Sequence, residues 1–150
     1  AQYQVAIMYE YGHSIKKDDK KAIFWYLKAC DQGHPSALEH MIEVYETGII
    51  VNRNPKQAFN FAEQLSKSTS PFAWLKLADY YLRGFGTKKN RRKALTCFKN
   101  AAEYQSVYAN EMLAKVYKEG LFGFPNYKKA RYYANQAEAL GSNIKKVMYF

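Results

Sequence analysis

Residues 5–12 read VAIMYEYG, from Val5 to Gly12, and the pattern returns as MIEVYETG at 41–48, LADYYLRG at 77–84 and LAKVYKEG at 113–120. The spacing is 36 residues each time, without insertion. Outward from this stretch, Ala1, Ala37, Ala73 and Ala109 fall in register, as do Ala22, Ala58, Ala94 and Ala130. A period of this size marks stacked supersecondary units, because one unit cannot bury its apolar face alone. The expected fold is an all-α solenoid of four two-helix repeats, 1–36, 37–72, 73–108 and 109–144, with 145–150 opening a partial fifth. Function then shifts from chemistry in a cleft to recognition along an extended surface.

Each unit reads as two helices. Apolar or small residues at repeat positions 1, 5, 6, 8 and 9, such as Leu77, Ala78, Tyr80 and Tyr81, share one helical face and define helix A. The glycine at position 12 supplies a left-handed stop. At position 18 stand Asp18, Asn54, Asn90 and Asn126, whose side-chain oxygens can accept the orphan N–H groups of a following helix B. Helix B carries small or apolar residues at positions 22, 25, 26 and 29. A second break closes the unit, at Gly33 and Pro35, at Ser70 and Pro71, and at Gly141. Thr69 and Gln105 stand where Gly33 and Gly141 do, which predicts altered loops there.

These residues resemble the Sel-one-like repeat (SLR) family, relatives of the tetratricopeptide repeats. The family pattern is legible as Ala1, Val5-Ala6, Met8-Tyr9, Gly12, Asp18, Lys21-Ala22, Trp25-Tyr26, Lys28-Ala29 and Gln32-Gly33, and the match spans 1–142. The resemblance implies a right-handed α/α superhelix forming one domain over 1–150. It further implies a non-enzymatic adaptor whose protein partner, a peptide or helix, lies in the concave groove lined by helix A. The groove positions 3, 7, 10 and 11 are then Tyr3, Ile7, Glu10 and Tyr11 in the first copy and Glu39, Glu43, Glu46 and Thr47 in the second. In the third they are Leu75, Asp79, Leu82 and Arg83, and in the fourth Glu111, Lys115, Lys118 and Glu119. An aromatic copy, an acidic copy, an apolar copy and a mixed copy suit an extended segment with basic and apolar residues in order. Phe72 and Trp74 are the aromatic hot-spot candidates.

The 48% hydrophobic content is ordinary for a globular chain, and the apolar runs are far shorter than a bilayer span. A chain that starts and stops on repeat boundaries is expected to be a piece of a longer array. Cys30 and Cys97 sit at different positions of copies two repeats apart, so both are expected as free thiols. Some bacterial relatives staple each repeat with a cysteine pair, and this chain does not. The resemblance implies a bacterial periplasmic or secreted protein, while the unpaired thiols leave a cytoplasmic location open.

The net charge is +10, and most lysines and arginines crowd repeat positions 16 to 21, in the loop from helix A to helix B. The expected basic edge is densest at Lys88, Lys89, Arg91, Arg92 and Lys93. It offers an alternative function, the binding of an anionic surface such as lipid headgroups, cell-wall polymer or nucleic acid. No nucleic-acid-binding module accompanies the charge, so nucleic acid is the weakest of these. The other reading is a solvated loop edge. His13, His34 and His40 fall at unrelated positions without metal-ligand spacing, so no metal or cofactor is expected. Ser14 and Lys17 match S-x-x-K, the acylating motif of penicillin-recognising enzymes, but in a loop and without its partner motifs. No active site or small-molecule substrate is expected.

Overall fold

The computed structural model describes residues 1–148, and among them the chain is all-α, with nine helices and no strand. They are α1 (Gln2–Tyr11), α2 (Asp19–Asp31), α3 (Pro35–Thr47), α4 (Pro55–Leu65), α5 (Pro71–Arg83), α6 (Arg91–Glu103), α7 (Val107–Glu119), α8 (Tyr127–Ala139) and α9 (Ile144–Met148). Odd-numbered helices are helix A of successive copies and even-numbered ones helix B. The ninth opens the fifth copy; Tyr149 and Phe150 lie outside the described residues. Packing divides the chain into two compact units, Ala1–Ser68 and the part from Thr69 onward. In the first, α1 packs on α2, α3 on α4, and α2 on α3. In the second, α5 packs on α6, α7 on α8, α6 on α7, and α9 on α8.

Four nearly identical turns join helix A to helix B. Gly12, Gly48, Gly84 and Gly120 end helix A at φ +71°, +72°, +71° and +66°. That left-handed backbone is available to glycine at little cost. The position-18 residue then closes the loop twice. Its N–H donates to the carbonyl of the position-9 tyrosine, from Asp18 to Tyr9 at 2.9 Å and from Asn126 to Tyr117 at 2.7 Å, with Asn54 and Asn90 alike. Its side-chain oxygen caps helix B, accepting from the N–H of Lys21, Gln57, Lys93 and Lys129 at 3.0–3.2 Å. The position-21 lysine finally lies over the position-9 ring, Lys21 on Tyr9, Lys93 on Tyr81 and Lys129 on Tyr117, at 5.2–5.4 Å. Tyrosine, glycine and Asx recur in all four copies, and lysine in three with Gln57 in the second, because one turn uses these positions together.

Alanine sets the helix spacing. Ala22, Ala58, Ala94 and Ala130 on helix B, and Ala37, Ala73 and Ala109 on helix A, are all fully buried. A side chain that ends at Cβ lets helices approach closely, and larger residues such as Tyr26, Met41, Ile42, Leu65, Tyr80 and Leu113 fill the remaining core.

The return from helix B to helix A is less regular. Helices α3, α5 and α7 begin two residues before the alanine that marks each repeat, with Pro35 and Pro71 in the first turn, where no amide N–H is needed. His34 Nδ1 and Ser106 Oγ cap α3 and α7. Gly33 and Gly141 take positive φ, and Gln105 follows them at +61° despite its side chain. Thr69 is not among the residues with positive φ, as expected of a β-branched residue. Helix α4 instead stops at Leu65, two residues early in the repeat, and Ser66 and Ser68 hydroxyls bond back to Glu63 and Leu65 carbonyls. The boundary between the two units falls at this remade turn.

Candidate functional site

In the first unit the helix A positions divide into engaged and accessible residues. Tyr3 is half-buried, its ring stacked on His34 at 4.6 Å and tilted against Tyr26 at 5.8 Å. Ile7 is also half-buried. Glu10 is held from two helices. Its Oε2 accepts the phenol proton of buried Tyr26 at 2.5 Å and lies 3.4 Å from Nε2 of His40 on α3. Only 12% of the Glu10 side chain is exposed. Burial first, and this hydrogen bond second, push the Tyr26 phenol far above its ordinary pKa. Glu10 thus joins α1, α2 and α3. Tyr11, 63% exposed, and Glu43 are open to solvent, and Glu39 is partly so. Glu46, partly buried, accepts at its backbone carbonyl from Arg53 Nε at 3.2 Å.

In the second unit Phe72, Trp74 and Leu75 open α5 and are half-buried, with Lys76 Nζ over the Phe72 ring at 5.5 Å. Asp79 accepts from Arg83 Nε at 2.8 Å, one turn along the same helix. Leu82 is half-buried beside them. On α7, Lys115 is exposed, whereas Glu111 accepts from the Ser142 hydroxyl and Lys118 donates to the Met148 carbonyl. The same segment covers apolar surface, since Ile144 and Met148 pack with Ala114, Ala134, Ala137 and Tyr133. The fourth copy's polar strip is therefore partly occupied by the opening of the fifth.

The basic edge differs between the units. In the first, Lys17 lies 3.7 Å from Asp19 and Lys21 4.0 Å from Asp18. In the second, Lys88, Lys89, Arg91, Arg92, Lys93, Lys128, Lys129 and Arg131 are all exposed, and segments 84–94 and 120–131 contain no carboxylate. The cap there is asparagine, which supplies the same acceptor oxygen without the charge. Beside it, Tyr127, Lys128, Arg131, Tyr132 and Asn135 line an open cleft of about 470 Å³ on α8.

Three features of these surfaces were not foreseen. The Glu10–Tyr26–His40 cluster joins three helices and has no local spacing to betray it. The lysine-on-tyrosine contact was visible as a recurring pair of positions, 9 and 21. Phe124, 96% exposed at a loop tip, was legible as an apolar residue between glycine and proline, where no helical face could bury it.

Both cysteines are free and buried. Burial pushes the Cys30 thiol up to about 12 and the Cys97 thiol up to about 11. Ser14 sits in the first turn at φ +64°. Among the described residues no three His, Cys, Asp or Glu side chains gather as metal ligands, and no helix is long and apolar enough to cross a membrane.

The fold and its turn chemistry define a class, the α/α repeat proteins of the SLR kind. The Sel1 repeat pattern matches residues 1–34, 43–69, 72–103 and 107–142, and the chain belongs to the Sel1 repeat family. A protective antigen present in uropathogenic Escherichia coli strains, displaying an SLR fold, superposes with a TM-score of 0.80 at 25% identity over 94% of this chain and 30% of its own. A Sel1 repeat protein from Oxalobacter formigenes gives 0.77 at 25% identity, over 94% and 58%. In sequence, the ERAD-associated E3 ubiquitin-protein ligase component HRD3A of Arabidopsis thaliana is 37% identical over 49 residues, 32% of this chain and 7% of that protein. The chain thus spans less than two thirds of each of these relatives.

Proposed function

We propose that the chain is a non-enzymatic protein-interaction scaffold that presents its helix A faces to a partner segment, α1 and α3 in the first unit and α5 and α7 in the second. One observation carries this reading. Positions 1, 6 and 22 repeat chemically and are mostly buried, whereas positions 3 and 7 change character from copy to copy while staying at least partly accessible. Stacking fixes no single residue type at those positions, so their variety is available for recognition. Sel1 repeat proteins generally act as interaction scaffolds, and the matched relative HRD3A is by name a component of a larger assembly.

Glu39 and Glu43 lie one turn apart on α3 and suit a basic partner segment. The test starts from a partner captured by the purified chain. Reversing Glu39 and Glu43 to lysine should speed dissociation and weaken binding even at high salt, because charges in a desolvated contact are poorly screened. Neutralising Lys88, Lys89, Arg91 and Arg92 should leave the affinity for that protein at high salt unchanged. The opposite pattern would move the protein site to the loop edge.

A further inference from the structure

We propose that the loop end of the second unit is a peripheral contact for an anionic lipid bilayer, with Leu121 and Phe124 entering the interface and Lys128, Lys129 and Arg131 meeting the headgroups. Phe124 is 96% exposed, Leu121 52% and Tyr127 63%. They stand on an ordered turn. Leu121 N–H donates to the Val116 carbonyl at 3.2 Å, Gly123 N–H to Gly120 at 3.1 Å, and Asn126 N–H to Tyr117 at 2.7 Å. The fold thus holds two large apolar side chains in water without using them in its core.

The shape of the patch selects its occupant. As a protein anchor, Phe124 would need a matching pocket on a partner to take it out of water, whereas a bilayer takes up a projecting ring without one. A bilayer interface accepts projecting aromatic side chains, with tyrosine at headgroup level and cations set behind. The charge is complementary to an anionic leaflet. Five lysines and arginines between Gly84 and Ala94 and three between Gly120 and Arg131 have no carboxylate among them. Both segments emerge at one end of the unit, because α6 and α8 each follow an antiparallel partner and α6 packs on α7. Asn90 and Asn126 cap their helices where Asp18 does the same work in the first unit, so the absence of acid here is not imposed by the turn. Protein docking on the helix A faces does not enter this inference.

Co-sedimentation of the full chain with phosphatidylcholine vesicles, with and without phosphatidylglycerol, tests it in a system free of protein partners. Binding is expected only with phosphatidylglycerol and should weaken as salt rises. The double variant Leu121→Ser, Phe124→Ser should bind roughly tenfold or more weakly while melting like the parent, since neither side chain lies in the core. Asn90→Asp with Asn126→Asp should keep both caps and the melting temperature, yet lower vesicle affinity by about fivefold per added charge. Absence of binding to phosphatidylglycerol vesicles at low salt overturns the proposal. So does binding that the serine variant leaves unchanged, which would reduce the contact to charge alone. Self-association lost in the serine variant without any vesicle binding would assign the patch to a second copy, and overturn it as well.

Discussion

Gly120 and Gly33 share a left-handed backbone but not their surroundings. A Cβ on Gly120 would stand 2.7 Å from both the nitrogen and Cδ of Pro125 and 2.8 Å from the Gly123 carbonyl oxygen, whereas one on Gly33 would meet nothing within 4 Å. Gly33→Ala should therefore cost about 1 kcal/mol, from the backbone alone. Gly120→Ala must also displace a rigid ring and should cost about 3 kcal/mol. Urea denaturation of the two variants checks the difference. The buried thiols set a pH dependence of definite sign. Unfolded cysteines release their protons near the ordinary 9.0, while the native thiols keep theirs to about 12 and about 11. Between these limits the native state binds more protons, so stability is full below pH 9 and falls as pH rises. The loss at pH 10 should be about 1 kcal/mol per thiol. Tyr26, Tyr45 and Tyr133, also raised by burial, act in the same direction at higher pH. Denaturation at pH 7 and pH 10, in the parent and in Cys30→Ala with Cys97→Ala, should show the dependence flattened in the variant.

Among the elements, the loop from helix A to helix B was the most legible part of the sequence. Its glycine stop and Asx cap are local devices, each with one residue type that satisfies it, and both recur four times. The return loop was less so, because its geometry depends on whether position 33 tolerates a left-handed backbone. Gln105 does and Thr69 does not, and the chain answers the second case by ending α4 early. Gln105→Gly should accordingly stabilise the protein by about 1 kcal/mol, whereas Thr69→Gly should not, since its backbone is already relaxed. Thermal unfolding of both distinguishes them. Pro35 and Pro71 read in the sequence as breaks that close a unit, whereas each stands in the first turn of the next helix A. The candidate site was legible only as a set of positions. That Glu10 would be drawn inward by Tyr26 and His40, and Glu111 and Lys118 toward residues 142–148, depends on which side chains neighbouring copies bring opposite them, and a repeat register does not contain that information.

At the scale of the whole molecule both units use the same turn, and the first copy differs from the rest in its charge. Asp18 caps and pairs with Lys21 in the first copy, whereas Asn54, Asn90 and Asn126 only cap. Within each unit, the extensively packed helix pairs are all neighbours along the chain. A turn of a few residues brings each pair together, so forming it closes only a short loop and loses little chain entropy. The order in which the helices associate need not be fixed, since any hairpin can form first and be extended from either side. Refolding from urea, followed by tryptophan fluorescence in a stopped-flow mixer, is expected to complete its main phase within milliseconds, at the fast end of the range for domains of this size. A main phase lasting seconds would mean that contacts distant in sequence, not these hairpins, limit the rate. Speed of assembly is then a property of the 36-residue period itself: what lets the copies stack also spares the chain a long search.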